Sequence, residues 1–326
     1  MFRLLLLLIV FLSFPFTCTA LENSSKDSYK VEMLHLIQGI HTAAQKTYPH
    51  FCIIGNGGTN LYNPLAYSEN NENAKAALKL VDGVLIESLN YGYSQRDDMK
   101  SPEDARKFLL NSIKFVKEQG IVLFNIDYCS KIQNKILAAL ASKSDGIINF
   151  SAKRNLDELP ETKLNEKAVT SLRDCKNFCV LLNPHKFPSK KAYFEKLKKS
   201  NYDLLIIDGY YGGNFLQKDE VANLKRKPNG EKRFVYCYMS IGEAEPYRLY
   251  WNDSYKTTPP EWIAGKNENW GSYKVKYWLE SWHKIIYSGE MSYLSQILNA
   301  GFDGVFLDVV DAFEYFEDLR DNSQEE

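Results

Sequence analysis

Acidic and amide side chains follow directly on several apolar segments of this sequence. In chain order they are Asn56, Glu87, Asp127, Asp208, Glu243 with Glu245, and Asp308 with Asp311. Paired carboxyl groups can divide the work of an acid and a nucleophile or base, as the cleavage of glycosidic bonds requires. The histidines fall on predicted helices or their flanks, and the strand ends offer no Ser–His–Asp set. These residue types favour two-carboxylate chemistry over a serine or cysteine nucleophile.

Aromatic residues form a second candidate feature, because all five tryptophans fall between residues 251 and 282. Sugar rings present C–H faces that pack on aromatic rings, while their hydroxyl groups need fixed polar partners. The segment offers Trp251, Trp262, Trp270, Tyr273, Tyr277, Trp278 and Trp282 for such a platform. Lys276 and Tyr238 complete the candidate substrate-binding set. We expect at least half of the aromatic residues to pack inside the segment instead.

Each candidate also has a purely structural interpretation. An acid at a strand end often caps the next helix, as Asp311 would cap one over residues 312–316. Asp208 could pair with a neighbouring cation, and Arg248 and Lys276 could simply balance the acids around them. Glu87 and Asp308, which each close a fully apolar run, are the strongest functional candidates.

The elements that must position these residues are eight short apolar runs. They cover residues 51–55, 83–87, 121–127, 146–150, 178–182, 204–208, 234–240 and 304–308. The runs are continuous rather than alternating, which is typical of parallel strands buried on both faces. Helical stripes lie between them, for example Met33, Ile37 and Ile40 before the first run. Further stripes occur at Ala105–Phe108–Leu109–Ile113–Val116, at Ile132–Ile136–Leu137–Leu140, and at Met291–Leu294–Ile297–Leu298 before Gly301.

This alternation predicts a single α/β domain, a (β/α)8 barrel over residues 21–326. The glycine pattern of a dinucleotide-binding sheet is absent from the sequence. In a barrel the active site is built from the carboxyl ends of the strands, so the candidate acids would share one mouth. The segment from residue 241 to 288 is too long for a simple strand–helix connection, and long structured insertions are usually functional.

The first residues predict secretion. A basic start is followed by the apolar run 4–16 and a small residue, Ala20, as in a secretory signal peptide over residues 1–20. The run is short for a membrane span, so we expect an extracellular protein with no membrane attachment after cleavage. In that compartment the remaining cysteines, Cys52, Cys129, Cys175, Cys179 and Cys237, are expected to form pairs with one left over. With 40 basic and 41 acidic residues, the chain shows no sign of a nucleic-acid partner. We expect no metal and no cofactor, and a monomer.

Three longer motifs resemble one known family. They are YCYMSIGEAEPYRLYW at 236–251, YKVKYW at 273–278 and AGFDGVFLDVVDAFEYF at 300–316. In this order they are similar to glycoside hydrolase family 114, barrels that include bacterial and archaeal extracellular proteins. The resemblance implies an endo-acting hydrolase of α-linked galactosamine-containing polysaccharide. It assigns Asp308 as nucleophile or base and Glu87 as general acid, with Asp208, Glu243, Asp127 and Asn56 around the sugar.

The order of the segments differs from that family, because its later part comes first here. We therefore expect a circular permutation, with the old ends joined near residues 159–177 and a ladder between strands 146–150 and 178–182. A carboxyl separation of about 5–5.5 Å between Asp308 and Glu87 would indicate retention of anomeric configuration, and ~6.5–9.5 Å inversion. Two other interpretations stay open: a non-catalytic carbohydrate-binding barrel, and a barrel enzyme with a metal at Asp308, Asp311 and Glu243.

Overall fold

The structure, a computed structural model, describes residues 26–68 and 71–323. The predicted signal peptide over residues 1–20 lies outside the described residues. Within them the central sheet comprises β1 (Cys52–Asn56), β2 (Gly83–Glu87), β3 (Val122–Tyr128), β4 (Ile148–Ala152), β5 (Phe178–Leu181), β6 (Leu204–Ile207), β9 (Phe234–Ser240) and β13 (Gly304–Asp308). Five short strands lie outside it: β7 (Tyr210–Tyr211), β8 (Asn214–Phe215), β10 (Glu243–Ala244), β11 (Ile263–Lys266) and β12 (Tyr273–Val275). All eight predicted apolar runs are therefore confirmed as strands.

The eight central strands are parallel and follow the order β4-β3-β2-β1-β13-β9-β6-β5, a nearly closed barrel. The expected ladder between β4 and β5 is wrong, since neither strand pairs with the other in the described residues. The chain leaving β4 turns across the edge of β5 instead, and the Leu156 carbonyl accepts from the amides of Leu182 and Asn183 at 3.0 and 3.2 Å. The Phe150 and Phe178 rings pack across the gap. The ladder was the test of the expected circular permutation, and its absence from the described residues counts against that expectation.

Helices surround the sheet. In the described residues they are α1 (Ser28–Thr47), α2 (Glu72–Leu78), α3 (Glu103–Ser112), α4 (Lys114–Glu118), α5 (Ile132–Ser144), α6 (Lys190–Lys198), α7 (Lys218–Ala222), α8 (Glu280–His283), α9 (Tyr293–Ala300) and α10 (Ala312–Ser323). The predicted stripe of α1 is confirmed, because Met33, Ile37 and Ile40 are buried. Burying each such side chain contributes roughly 1.5–3 kcal/mol relative to leaving it exposed. Gly301, predicted to end α9, is the left-handed C-cap there, with φ of 76°.

Two predicted stripes are wrong in part. In α5 the apolar residues Ile132, Ile136, Leu137 and Leu140 face outward, between 47% and 74% exposed. Its inner face is made of small residues, Ala138 and Ser142, which let the helix approach the sheet closely. Phe108 of α3 is likewise 66% exposed. At the start of α3, Pro102 stands at the N-cap position, and the hydroxyl of Ser101 before it donates to the Ser88 carbonyl.

The long segment after β9 forms a small antiparallel sheet, in the order β10-β12-β11, whose buried residues join the main hydrophobic core. Trp282 and Trp262 are buried in this core, and the indole of Trp282 donates to the Ile241 carbonyl at 2.9 Å. The Trp251 ring lies 4.7 Å from that of Tyr273, whereas Trp270 is 67% exposed. The expectation that at least half of the aromatic cluster is structural is confirmed.

The cysteine expectation is wrong for the described residues. Cys52, Cys129, Cys175, Cys179 and Cys237 are all free thiols. They are spread over different strands and loops of the core, so their sulfur atoms do not meet. No helix in residues 26–68 or 71–323 is both long and apolar enough to cross a membrane.

Candidate active site

The two strongest candidates, Glu87 and Asp308, meet at the carboxyl ends of β2 and β13. β1 lies between these strands and pairs with both, which places Asn56 at its end between the two acids. The Asn56 Nδ2 group donates to Glu87 Oε1 at 2.9 Å and to Asp308 Oδ1 at 2.8 Å. These two oxygens therefore cannot lie farther apart than the 2.9 and 2.8 Å bonds laid end to end.

Two tyrosines hold the remaining oxygens of the pair. The Tyr238 hydroxyl donates to Asp308 Oδ2 at 2.8 Å, and the Tyr128 hydroxyl donates to Glu87 Oε2 at 2.7 Å. Asp308 Oδ1 also accepts from the Val309 amide at 2.9 Å. The sequence indicated Tyr238 but not Tyr128, whose only signal was its place directly after the strand-end residue Asp127.

The surroundings of the pair change the pKa of Glu87. Burial, followed by the nearby charge of Asp308, raises the pKa of Glu87 above its ordinary value. Burial also raises the pKa values of Tyr128 and Tyr238 well above the usual range, so both phenols keep their protons. A raised pKa keeps the proton on a carboxyl group that has to act as a general acid.

The backbone around the pair is strained. Ser88 follows Glu87 with φ of 58°, and Val309 follows Asp308 with φ of 60°. Such a conformation is a marked outlier for a β-branched residue, and outliers of this kind concentrate at functional sites. Gly242 permits the strained turn, since a Cβ there would lie 2.3 Å from the Val309 carbonyl oxygen. The close approach of Val309 therefore explains why the SIGEAE motif has a glycine at this position.

Asp311 also lies at this mouth. The residue as a whole is exposed, and a Cβ on Gly57 would lie 3.5 Å from its Oδ2. Packing around the carboxyl group, followed by the charges of Asp308 and Glu314, raises the pKa of Asp311 to about 7. The structure therefore brings Asn56, Tyr238 and Asp311 together with the two candidate catalytic acids.

Asp208 and Glu245 are bound to one buried cation. Arg248, whose side chain is fully buried, donates to Asp208 Oδ1 and to Glu245 Oε2, each at 2.7 Å. Glu245 also accepts from the Tyr247 hydroxyl. Several tyrosine rings surround the guanidinium, with Tyr210 at 5.1 Å. This cluster rests on Arg248, which the sequence suggested only as a balancing charge.

Two predicted substrate ligands serve the scaffold instead. The Asp127 carboxylate is completely buried and accepts from the Asn90 and Tyr91 amides at 2.7 and 2.9 Å, which fixes the loop after β2. Glu243 accepts from Ser272, Asn267 and Lys274 and so anchors the hairpin of β11 and β12. Neither carboxylate is free to bind a sugar.

Two further candidates in the long segment, Tyr277 and Trp278, pack against other elements. Tyr277 is fully buried, and its hydroxyl donates to the Tyr29 carbonyl at 2.8 Å. The Trp278 ring packs against Phe316 at 4.8 Å. Lys276 is half-buried, and its amide donates to the Trp262 carbonyl at 2.8 Å. Tyr277 and Trp278 join the segment to α1 and α10, so their function is packing. In the described part of the chain, no group of three or more His, Cys, Asp or Glu residues is arranged to hold a metal ion.

The fold and the paired acids define a parallel α/β barrel with a two-carboxylate site at its mouth. Residues 193–326 match the sequence profile of glycoside-hydrolase family GH114. All three motifs that resembled the family lie inside the matched stretch. The family is one of glycoside hydrolases, and the substrate class that it implies is carbohydrate.

Similar proteins occur in distant prokaryotes. An uncharacterized protein of Methanocaldococcus jannaschii is 34% identical over 182 residues, covering 52% of this chain and 50% of that protein. An uncharacterized protein of Thermotoga maritima is 44% identical over 123 residues, covering 37% and 36%. The chain thus matches half or less of the length of either relative.

Proposed function

We propose that the protein is a secreted glycoside hydrolase that cuts internal glycosidic bonds of α-linked galactosamine-type polysaccharide. The observation that carries the proposal is the Asn56 amide, which donates to Glu87 and Asp308 at the same time. This bridge keeps the two acids close enough to act on opposite sides of one glycosidic bond. The galactosamine substrate rests on the family resemblance, and the acids at the mouth suit a cationic amino sugar.

The reaction we propose is a double displacement. An Asp308 oxygen attacks the anomeric carbon while Glu87 gives its proton to the departing glycosidic oxygen. Glu87, now a carboxylate, then takes a proton from water, and the oxygen of this water displaces Asp308 from the anomeric carbon. The Glu87 and Asp308 oxygens that share the Asn56 amide lie closer together than the ~6.5 Å that inversion requires, so we expect retention of configuration. Tyr128 can donate to or accept from Glu87, which suits both of its protonation states.

The proposal is tested by incubating the protein with a panel of amino-sugar polysaccharides and measuring new reducing ends. Asp308→Asn and Glu87→Gln should each abolish hydrolysis and leave the unfolding transition cooperative. Asp253→Asn, which changes an exposed carboxylate paired with Lys256, is the matched control and should be fully active. NMR of the first anomer released reports the stereochemistry. Full activity in both site variants would refute the assignment, and binding without cleavage would indicate a carbohydrate-binding barrel.

We propose further that residues 1–20 are removed on secretion and that the mature protein acts as a monomer without a metal. Amino-terminal sequencing of protein recovered from the medium of the expressing cells should begin near Leu21. Retention of the intact amino terminus inside the cells would contradict this part of the proposal. Light scattering measures the oligomeric state, and activity in the presence of a chelator tests the independence from metal.

A further inference from the structure

A cleft of about 490 Å³ opens beside Glu87. Glu87 and Ser88 line it, whereas Asp308 and Asn56 do not. The loop after β2, at residues 92–95, and the first turns of α3 also line it. Arg154, which follows β4, completes the lining. The volume lies in the range of small-molecule sites.

Two aromatic rings stand exposed in this cleft. Tyr93 is 40% exposed on the loop, and Phe108 is 66% exposed on α3. Phe108 breaks the helix pattern that predicts its burial, so its outward position needs another reason. Exposed rings beside Ser94, Gln95 and Asp104 offer what a sugar residue needs, namely apolar faces for its C–H groups and polar partners for its hydroxyl or amino groups.

The loop wall is strained and firmly held. Four of its residues that are not glycine have positive φ: Ser88, Ser94, Gln95 and Asp98, at 58°, 50°, 60° and 64°. A positive φ is unfavourable for such residues and persists only where the surroundings fix it. The Asp98 carboxylate accepts from the amides of Ser130 and Lys131, which fixes the far end of the loop. The Arg154 guanidinium donates to the Gly92 carbonyl at 2.8 Å and lies 3.8 Å from the centre of the Tyr128 ring.

We propose that this cleft binds the sugar residues on the leaving-group side of the scissile bond, with Phe108 and Tyr93 as stacking rings. The inference rests on the proposed function, since it takes Glu87 to be the acid that protonates the leaving oxygen. Whatever is attached to that oxygen must lie beyond Glu87, and the cleft begins there. The strained, firmly held loop keeps this wall in its binding shape before substrate arrives.

The test separates leaving-group contacts from the rest of the site. The substrates are an α-1,4-galactosamine hexamer and a short galactosamine oligomer ending in a glycosyl fluoride, whose leaving atom is too small to reach the cleft. Phe108→Ala should lower kcat/KM on the hexamer about 10-fold and leave the fluoride unchanged. Phe108→Trp should keep most of the activity on the hexamer. Ile132→Ala removes an apolar side chain that is 74% exposed on α5, and as the matched control it should match the wild type on both.

Direct binding gives a second measurement. In the Asp308→Asn background, calorimetry with the same hexamer should show about 10-fold weaker binding when Phe108→Ala is added, and equal binding of galactosamine itself. Equal effects of Phe108→Ala on both substrates, or none on either, would overturn the inference while hydrolysis by the wild type still supports the proposed function. Failure of the wild type to cleave the hexamer, together with no binding by Asp308→Asn, would remove the proposed function and this inference with it.

Discussion

The Asn56 amide allows the electrostatics of the site to be tested by a single substitution. Asn56→Ala removes the only group that donates to both acids among the described residues. The hydrogen bond from Asn56 favours the charged form of Glu87, against the burial and the Asp308 charge that raise its pKa. Without the amide, the charged form loses a donor while both opposing effects remain. The pKa of Glu87 must therefore rise further.

The energy behind the rise is that of the lost bond. A hydrogen bond to a charged group contributes about 1.5–3 kcal/mol, so the charged form of Glu87 loses that much stabilisation relative to its neutral form. Glu87 must be protonated to act as the acid, so the alkaline limb of the pH profile of kcat/KM should move to higher pH. The rate at the optimum should fall as well, because Asp308 is no longer oriented by the bridge.

The assay is hydrolysis of the preferred polysaccharide across the pH range, supported by ¹³C NMR titration of the labelled carboxyl group, which needs no activity. The matched control is Asn60→Ala, because the Asn60 amide donates to the exposed Glu314 at 3.2 Å and contacts neither acid. Its pH profile should follow that of the wild type. An alkaline limb that stays in place or moves to lower pH in Asn56→Ala would refute the reasoning.

Three further substitutions test the structure through stability. Glu87→Gln should raise the free energy of unfolding at pH 7 but not at pH 4. The folded protein raises the pKa of Glu87, so folding is penalised at pH values above about 4.5, where the carboxyl group of the unfolded chain is charged, and glutamine removes this penalty. Urea titrations at both pH values measure the difference. Lys227→Met should lower the free energy of unfolding by about 3–5 kcal/mol, because it leaves the fully buried Asp203, 2.9 Å away, without its cation. The double variant with Asp203→Leu should lose less, since no unpaired charge is then buried. Ile136→Gln should change the free energy of unfolding by less than about 0.5 kcal/mol, whereas Ile37→Gln, at a buried position of α1, should be strongly destabilising; equal losses in denaturant titrations would contradict the outward face of α5.

The strands were predictable because burial on both faces leaves a direct trace in the sequence. Strands β2, β9 and β13 begin and end where the apolar runs do, and the others shift by at most two residues. The α5 helix was not predictable in the same way. Its apolar residues have helical spacing, but the spacing does not say which face meets the sheet. Ala138 and Ser142 face the sheet because their small size allows close approach. The hydrogen bond from Asn90 to the Ser142 hydroxyl also favours this orientation.

The site was predictable only to within one residue of each strand end. Side chains alternate between the two faces of a strand, so neighbouring residues at the end of β3 point in opposite directions. Tyr128 therefore reaches Glu87 in the mouth, while Asp127 turns outward to bind Asn90. Position in the sequence identifies the end of the strand, and only the register of the barrel decides which residue faces the substrate.

The acids around the mouth differ in their partners. Asp208 and Glu245 bind Arg248, and Glu243 binds Lys274. Within the described residues, Glu87 and Asp308 form their direct hydrogen bonds with neutral groups only, an amide, two phenols and a backbone N–H. Neutral donors fix the orientation of a carboxyl group while leaving its charge able to change, which acid–base catalysis requires. Asp127 also has only neutral donors, but it is completely buried. The difference in partners therefore separates Glu87 and Asp308 from the three acids that contact Arg248 or Lys274.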